Sequence, residues 1–301
     1  MSSSPVNRWI KCVSTHGNVR AVAIQATELV RSQVALHQLQ GPGAKGLGEA
    51  LISGLLLGSY CKPGERVNLN VQGDARFAQA LVDATPDGKV RGYVIERKDW
   101  TGAAAQPIGQ DGFPDGPWGA GLMSVLRTKS GEGEKPYIGT VPLATGHLAK
   151  DLTYYWYQSE QVPSACGIII DAEGGEIRAA GGFLIQAMPG ASDAELRLIE
   201  RQIENPDSVA EEFGRAGDPM RFLSRVLQSS AFMVLEEREV QSYCNCSWGR
   251  VERAMVLVGA EELKDMLARD KGASIHCDFC TKEYRMDEPK LQELITRASG
   301  G

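Results

Sequence analysis

Two pairs of cysteines near the C-terminus constrain this chain more than any other feature. Cys244 and Cys246 stand in YCNCSWGR, and after thirty intervening residues Cys277 and Cys280 stand in CDFC. Four thiolates about 2.3 Å from a tetrahedral ion form the structural zinc arrangement, and two cysteine pairs supply it once the chain reverses between them. The segment between the pairs suits that reversal: its pattern predicts a helix over 260–268, ended by Gly272. Four cysteines satisfy one zinc ion per chain, so His276, beside Cys277, reads as a bystander.

By spacing alone, the zinc merely staples a small module. Two features point further, to a switch. The module has roughly sixty residues, too few to bury much core, so metal binding supplies a large part of its folding free energy. The C-x-C gap is the second feature: extended i and i+2 Cα atoms lie near the upper limit of about 6.8 Å for disulfide geometry. A bond across it is strained at Asn245, and strained disulfides are the labile, regulatory kind. Oxidation of either pair removes two ligands at once and ejects the metal, which makes the module a redox fuse. The other cysteines, Cys12, Cys61 and Cys166, lie in the apolar contexts IKCV, SYCK and SACGIII and read as small buried hydrophobes. Seven cysteines in a reducing compartment stay mostly as thiols.

The remaining sequence describes a larger domain. With 301 residues and 43% hydrophobic content the chain can bury a full core. Its net charge of -6 argues against a protein whose main task is coating phosphate backbones. The N-terminus is short, polar and broken by Pro5, with no apolar run of signal-peptide length. The most apolar stretch, residues 50–61, is too short to span a membrane and has helical periodicity. It reads as a buried helix, and the chain as soluble and cytoplasmic.

Period-two alternation predicts strands at RVNLNVQ, KVRGYVIE, GLMSVLRT and YIGTVPL. A hairpin is expected where CGIIID meets EIRAAGGFLIQAM, with Glu173, Gly174 and Gly175 in the turn. Helices are expected over 44–59 and 147–158, the latter with Leu148, Leu152 and Tyr155 on one face. This order predicts an α+β fold for residues 1–190, with a Gly/Pro-rich surface loop over 101–121. At AMPGASD the strand pattern stops, and Ser192 or Asp193 can cap a new helix. Residues 191–240 then read as a helical, acidic linker. Its apolar stripes, Leu196, Ile199 and Ile203, then Val209 and Phe213, then Phe222, Leu223 and Val226, are too narrow to stand alone in water and must lie on the first domain. Residues 241–301 form the zinc module.

Other chemistries find little support. Four cysteines leave no open position for the water a catalytic zinc requires. There is no HExxH or GxSxG, and GPGAKGLG lacks the Lys-Ser/Thr ending of a phosphate-binding loop. From Cys244 onward nine basic and ten acidic side chains form no basic stripe for nucleic acid.

The chain resembles the redox-regulated chaperone family of the thirty-three-kilodalton heat-shock protein. The resemblance rests on CNCSWGR, VGAEELKDML and CDFCTKEY in the C-terminal part, and on LNVQGD, YIGTVPL, YYWYQSEQVPSA and AAGGFLIQAMP in the first domain. Two features depart from it: Ala75 follows QGD where the family usually has glycine, and the Gly/Pro-rich loop after Trp100 does not align. The resemblance implies an ATP-independent holdase, not an enzyme, quiet while Cys244, Cys246, Cys277 and Cys280 hold zinc. It implies activation by disulfides Cys244–Cys246 and Cys277–Cys280, with loss of zinc and unfolding of module and linker. Its partners would be unfolding client proteins, with a homodimer as the oxidised form and no nucleic acid or membrane. The linker stripes, Leu196, Ile199, Ile203, Phe213, Phe222, Leu223 and Val226, and the surface they cover are then the candidates for client binding.

Overall fold

A helix that is apolar on every side has to be buried on every side, and Gly41–Ser59 organises the first part of the molecule for that reason. In the computed structural model, which describes residues 7–16, 18–97, 115–129, 136–204, 209, 213, 217–227 and 231–299, the described residues form thirteen strands and eight helices in an α+β arrangement. They divide into two compact units, Met1–Ser242 and Tyr243–Gly301.

The first unit contains two sheets. One is built from β1 (Arg8–Ser14), β2 (Val19–Gln25), β8 (Ser164–Glu173), β9 (Glu176–Ala187) and β10 (Phe232–Glu239), in the order β10-β1-β2-β9-β8. The other is built from β3 (Glu65–Gly73), β4 (Phe77–Ala84), β5 (Lys89–Glu96), β6 (Gly121–Lys129), β7 (Tyr137–Pro142) and β11 (Gln241–Ser242), in the order β11-β5-β4-β3-β6-β7. The expected hairpin is β8–β9, and its turn glycines Gly174 and Gly175 sit at φ 62° and 90°, a region only glycine enters at no cost. The four alternating segments are β3, β5, β6 and β7.

Helix α1 is Thr27–Leu36, α2 is Gly41–Ser59 and α3 is Leu148–Ser159. α2 lies between the sheets: a Cβ on Gly54 would come within 2.4 Å of Val82 on β4, and one on Gly48 within 2.9 Å of Ile170 on β8. Leu47, Leu51, Leu55 and Leu56 of α2 join Trp9, Val67, Leu69, Leu152, Trp156 and Leu184 in the main core. No helix among the described residues is long and apolar enough to cross a membrane. The 101–121 segment was expected at the surface. Its residues 101–114 lie outside the described residues, and at its far end Trp118 is fully buried, its ring 4.7 Å from that of Phe77; an indole that fills a core position overrides the Gly/Pro signal around it.

Beyond Ala187 the chain covers the second face of the β1-containing sheet. Helix α4 (Asp193–Ile203) starts at Ser192, whose hydroxyl accepts the Glu195 N–H at 3.2 Å. Helix α5 (Pro219–Val226) is capped by Asp218, which accepts the Met220 N–H at 2.9 Å. Ile199, Val209, Phe213, Phe222, Leu223 and Val226 pack with Ile10, Cys12, Val19, Ala21, Phe183 and Ile185 into a second core. The expected helical character does not continue to Val240. Phe232–Glu239 is a strand paired antiparallel with β1 along its whole length. β1 leaves an open edge, and the charges of the acidic run find partners across it: Lys11 meets Glu236 at 3.0 Å, the Trp9 Nε1–H donates to Glu236 at 3.0 Å, and Arg8 pairs with Glu237.

The isolated cysteines match their apolar contexts. Cys12 and Cys61 are buried, Cys166 is half-buried against the main core, and burial pushes the Cys12 thiol up to about 12 and Cys61 up to about 11. Burial also raises Cys166. All three stay protonated and unreactive at neutral pH.

Candidate metal centre

The second unit carries the two cysteine pairs. Helices α6 (Trp248–Val258), α7 (Ala260–Asp270) and α8 (Glu288–Ser299) surround a hairpin of β12 (Gly272–His276) and β13 (Glu283–Asp287). The helix expected over 260–268 is α7, and Gly272 opens the next strand; the chain changes direction one residue earlier, at Lys271, in the left-handed region with φ 52°. The buried core here consists of Met255, Leu263, Met286, Leu291, Leu294 and Ile295, a small apolar payload for an independent unit.

CDFC occupies the loop of the hairpin. The Cys277 N–H donates to Lys282 O at 3.0 Å, and the Cys280 and Thr281 N–H groups donate back to Cys277 O at 3.3 and 2.8 Å. This tight turn sends both sulfurs to one side. Cys244 and Cys246 arrive from the segment before α6, where the Arg250 guanidinium donates to the exposed Asn245 side chain at 2.6 Å. All four Sγ atoms lie within 4.8 Å of one another, with Cys244 3.7 Å from Cys277 and Cys246 3.4 Å from Cys280. A tetrahedron of sulfurs about 2.3 Å from a central ion has edges of about 3.8 Å. The observed spacing therefore fits a four-thiolate site, and these residues can hold a metal ion. His276 stands apart from the cluster, its side chain 61% exposed and 3.9 Å from Glu283. All seven cysteines are thiols.

The sulfurs are not electrostatically alike. Burial opposes ionisation of Cys246, but hydrogen bonds from Tyr284 and the three other thiols outweigh it and bring Cys246 down to about 7. Burial and the neighbouring sulfurs push Cys280 up to about 12, and burial raises Cys277. The Tyr284 hydroxyl donates to Cys246 Sγ at 3.0 Å, and that bond, followed by burial, pushes the phenol up to about 12. Sequence reasoning did not single out Tyr284. Its signal was the fourth position after Cys280, which in an extended strand points to the same side as the second position and can return to the sulfurs.

The candidate client-binding residues are covered in this thiol state. Ile199, Phe213, Phe222, Leu223 and Val226 are between 0% and 3% exposed, and Leu196 and Ile203 are half-buried in the same cluster.

Comparison with known proteins agrees with this geometry. A family model described as "Hsp33 protein" matches residues 7–287. A "33 kDa chaperonin" of Streptococcus agalactiae serotype Ia is 33% identical over 292 residues, covering 96% of this chain and 98% of the relative. Another "33 kDa chaperonin", from Geobacter sulfurreducens, is also 33% identical, over 95% of this chain and 93% of its own. The crystal structure of a 33 kDa chaperonin, a heat shock protein 33 homologue from Thermotoga maritima, superposes with a TM-score of 0.84 at 25% identity, covering 98% of this chain and 99% of that one. With the fold, the four-cysteine cluster and the family match in agreement, the chain belongs to the Hsp33 family, whose members are chaperones and not enzymes.

Proposed function

We propose that this chaperone is an ATP-independent holdase switched by the redox state of its four clustered cysteines. In the reduced state Cys244, Cys246, Cys277 and Cys280 hold one zinc ion, which supplies the cross-link the small apolar core of the second unit cannot replace. Oxidation joins Cys244 to Cys246 and Cys277 to Cys280, and the zinc leaves. The module, 241–301, and the linker, 191–240, then unfold from the core domain, 1–190. The surface uncovered, formed by Leu196, Ile199, Ile203, Phe213, Phe222, Leu223 and Val226 and the sheet face beneath them, receives unfolding clients, and the oxidised form associates as a homodimer. This cycle belongs in a reducing compartment, the cytoplasm, where the thiol state is the resting one.

The convergence of the four sulfurs within 4.8 Å is the observation that carries this reading. Choice of zinc follows from the ligands: four soft thiolates in a tetrahedron select zinc over the hard cations. The pairing within each motif comes from the family likeness. In the thiol form the contacts at 3.7 and 3.4 Å join sulfurs of different pairs, Cys244 to Cys277 and Cys246 to Cys280, so disulfide mapping decides the connectivity.

The test treats the reduced protein with hydrogen peroxide at raised temperature and follows zinc release, thiol content, disulfide connectivity and light scattering by an aggregating client. The expected outcome is one zinc released per chain, two disulfides within the motifs, and suppression of aggregation that reductant and zinc reverse. If the reduced, zinc-bound protein suppressed aggregation as well as the oxidised protein, the switch would be lost.

A further inference from the structure

Cys246, Cys277 and Cys280 receive hydrogen bonds from different kinds of donor. Cys277 accepts from the backbone N–H groups of Phe279 and Cys280, and Cys280 from that of Lys282. These donors belong to the turn that carries the ligands. Cys246 instead accepts from a side chain distant in sequence, the Tyr284 hydroxyl of β13, at 3.0 Å. Tyr284 is 1% exposed and pairs with Ile275 across the β12–β13 ladder, and the Trp248 ring meets its ring edge-on at 5.2 Å. The phenol is therefore fixed by packing, and its O–H cannot turn to water without movement of the strand.

We propose that Tyr284 is a positioning residue for the switch, holding a hydrogen bond on the Cys246 sulfur that slows its oxidation until β13 loosens. The proposal rests on the redox reading above. Reaction with peroxide begins when a thiolate lone pair attacks one peroxide oxygen. The O–O bond breaks, hydroxide leaves, and the sulfur, having given up two electrons, becomes a sulfenic acid. A second thiolate then attacks that sulfur and displaces its oxygen as hydroxide, closing the disulfide. The Tyr284 hydroxyl bond, at 3.0 Å, stabilises the negative charge on this sulfur and so lowers the nucleophilicity of its lone pairs, which slows the first step. Fraying of β12–β13 removes the donor and exposes the sulfur together.

The experiment compares full-length wild type, Tyr284→Phe and Trp248→Phe, each loaded with zinc for kinetics and with cobalt(II) for spectroscopy. Zinc release by peroxide is followed with a chromogenic chelator at a temperature where all three stay folded. The expected result is release roughly tenfold faster in Tyr284→Phe, the scale of one hydrogen bond to a charged group. The sulfur-to-cobalt charge-transfer band should move to lower energy, because the sulfur lone pair is no longer stabilised. Trp248→Phe keeps an aromatic edge against the Tyr284 ring and leaves the hydroxyl in place, so it should stay near wild type in both readouts. Equal rates and bands in Tyr284→Phe and wild type would overturn the proposal, as would an equal change in Trp248→Phe. Loss of metal from Tyr284→Phe alone would assign the hydroxyl to binding rather than to kinetic shielding, and would also overturn it. Failure of the wild type to release zinc is a separate result, and it removes the redox reading itself.

Discussion

Replacing Phe222 with alanine should detach the linker and leave the sheets in place. Phe222 is 1% exposed, with the rings of Phe183 and Phe213 at 4.8 and 5.0 Å and the Arg225 guanidinium 5.7 Å from its centre. Truncating a core phenylalanine costs about 3–5 kcal/mol, and each aromatic contact accounts for about 0.5–1.5 kcal/mol of it. The helix that carries Phe222 has eight residues, well short of the roughly 12–15 that hold a helix in water. Its order therefore comes from this packing and two caps, and the loss falls on docking. The sheet beneath keeps its other face on α2, so its own ladder should survive. Amide exchange in 219–227 should accelerate by about two orders of magnitude or more, with β2 and β9 changed much less. Under full reduction, with zinc bound, F222A should suppress client aggregation where wild type does not. Two results would refute this reasoning. One is an equal loss of protection in β2, β9 and 219–227, which would make linker and sheet one cooperative unit. The other is selective detachment with no gain of holdase activity, which would remove the covered face as the client surface.

Three further outcomes are expected. Chelation of zinc under reducing conditions should unfold 243–301 while the first unit stays folded, seen as loss of near-ultraviolet signal from Trp248 and Tyr284 and of exchange protection confined to that unit. Gly54→Ala should destabilise by about 1–3 kcal/mol in urea titrations, opposite to the gain of about 1 kcal/mol normal for that change in a helix, because the new methyl meets Val82 at 2.4 Å. Burial pushes the Glu49 carboxyl up to about 7; a carboxyl with a raised folded value contributes stability below its unfolded pKa that is lost as pH rises through 7. Glu49→Gln should therefore flatten the decline in stability of the first unit between pH 4.5 and about 7, by at most about 3 kcal/mol, as read by denaturation at several pH values.

What the sequence reveals depends on how many faces an element buries. β3 alternates because one face meets the core and the other is more open, so Val67, Leu69 and Val71 stand out. β2, VRAVAIQ, carries α2 on one face and the linker helices on the other, and all its positions but Arg20 are buried. Burial on both sides erases the period of two, and no strand was read there. β10 fails for the opposite reason: Met233, Val234 and Leu235 are 40–59% exposed, and the strand exists because β1 offers an edge. The cysteines were legible because ligand chemistry restricts residue type and spacing together. Tyr284 was not, since a single tyrosine has many possible uses and only the folded hairpin brings its hydroxyl to a sulfur.

Chain order through β9, the linker and β10 has a consequence for how far disorder can travel. The part of the linker before β10 is a lasso, anchored in the ladder at Ala187 on one side and at Phe232 on the other. Unfolding that starts at Cys244 meets the two-residue β11 first, then the eight-residue ladder between β10 and β1. While that ladder holds, a released linker swings out as a closed loop over the face it has left. Closing such a loop costs little more as it lengthens, so the face is bared without the tether being lost, and re-docking remains an intramolecular search once the thiols are restored.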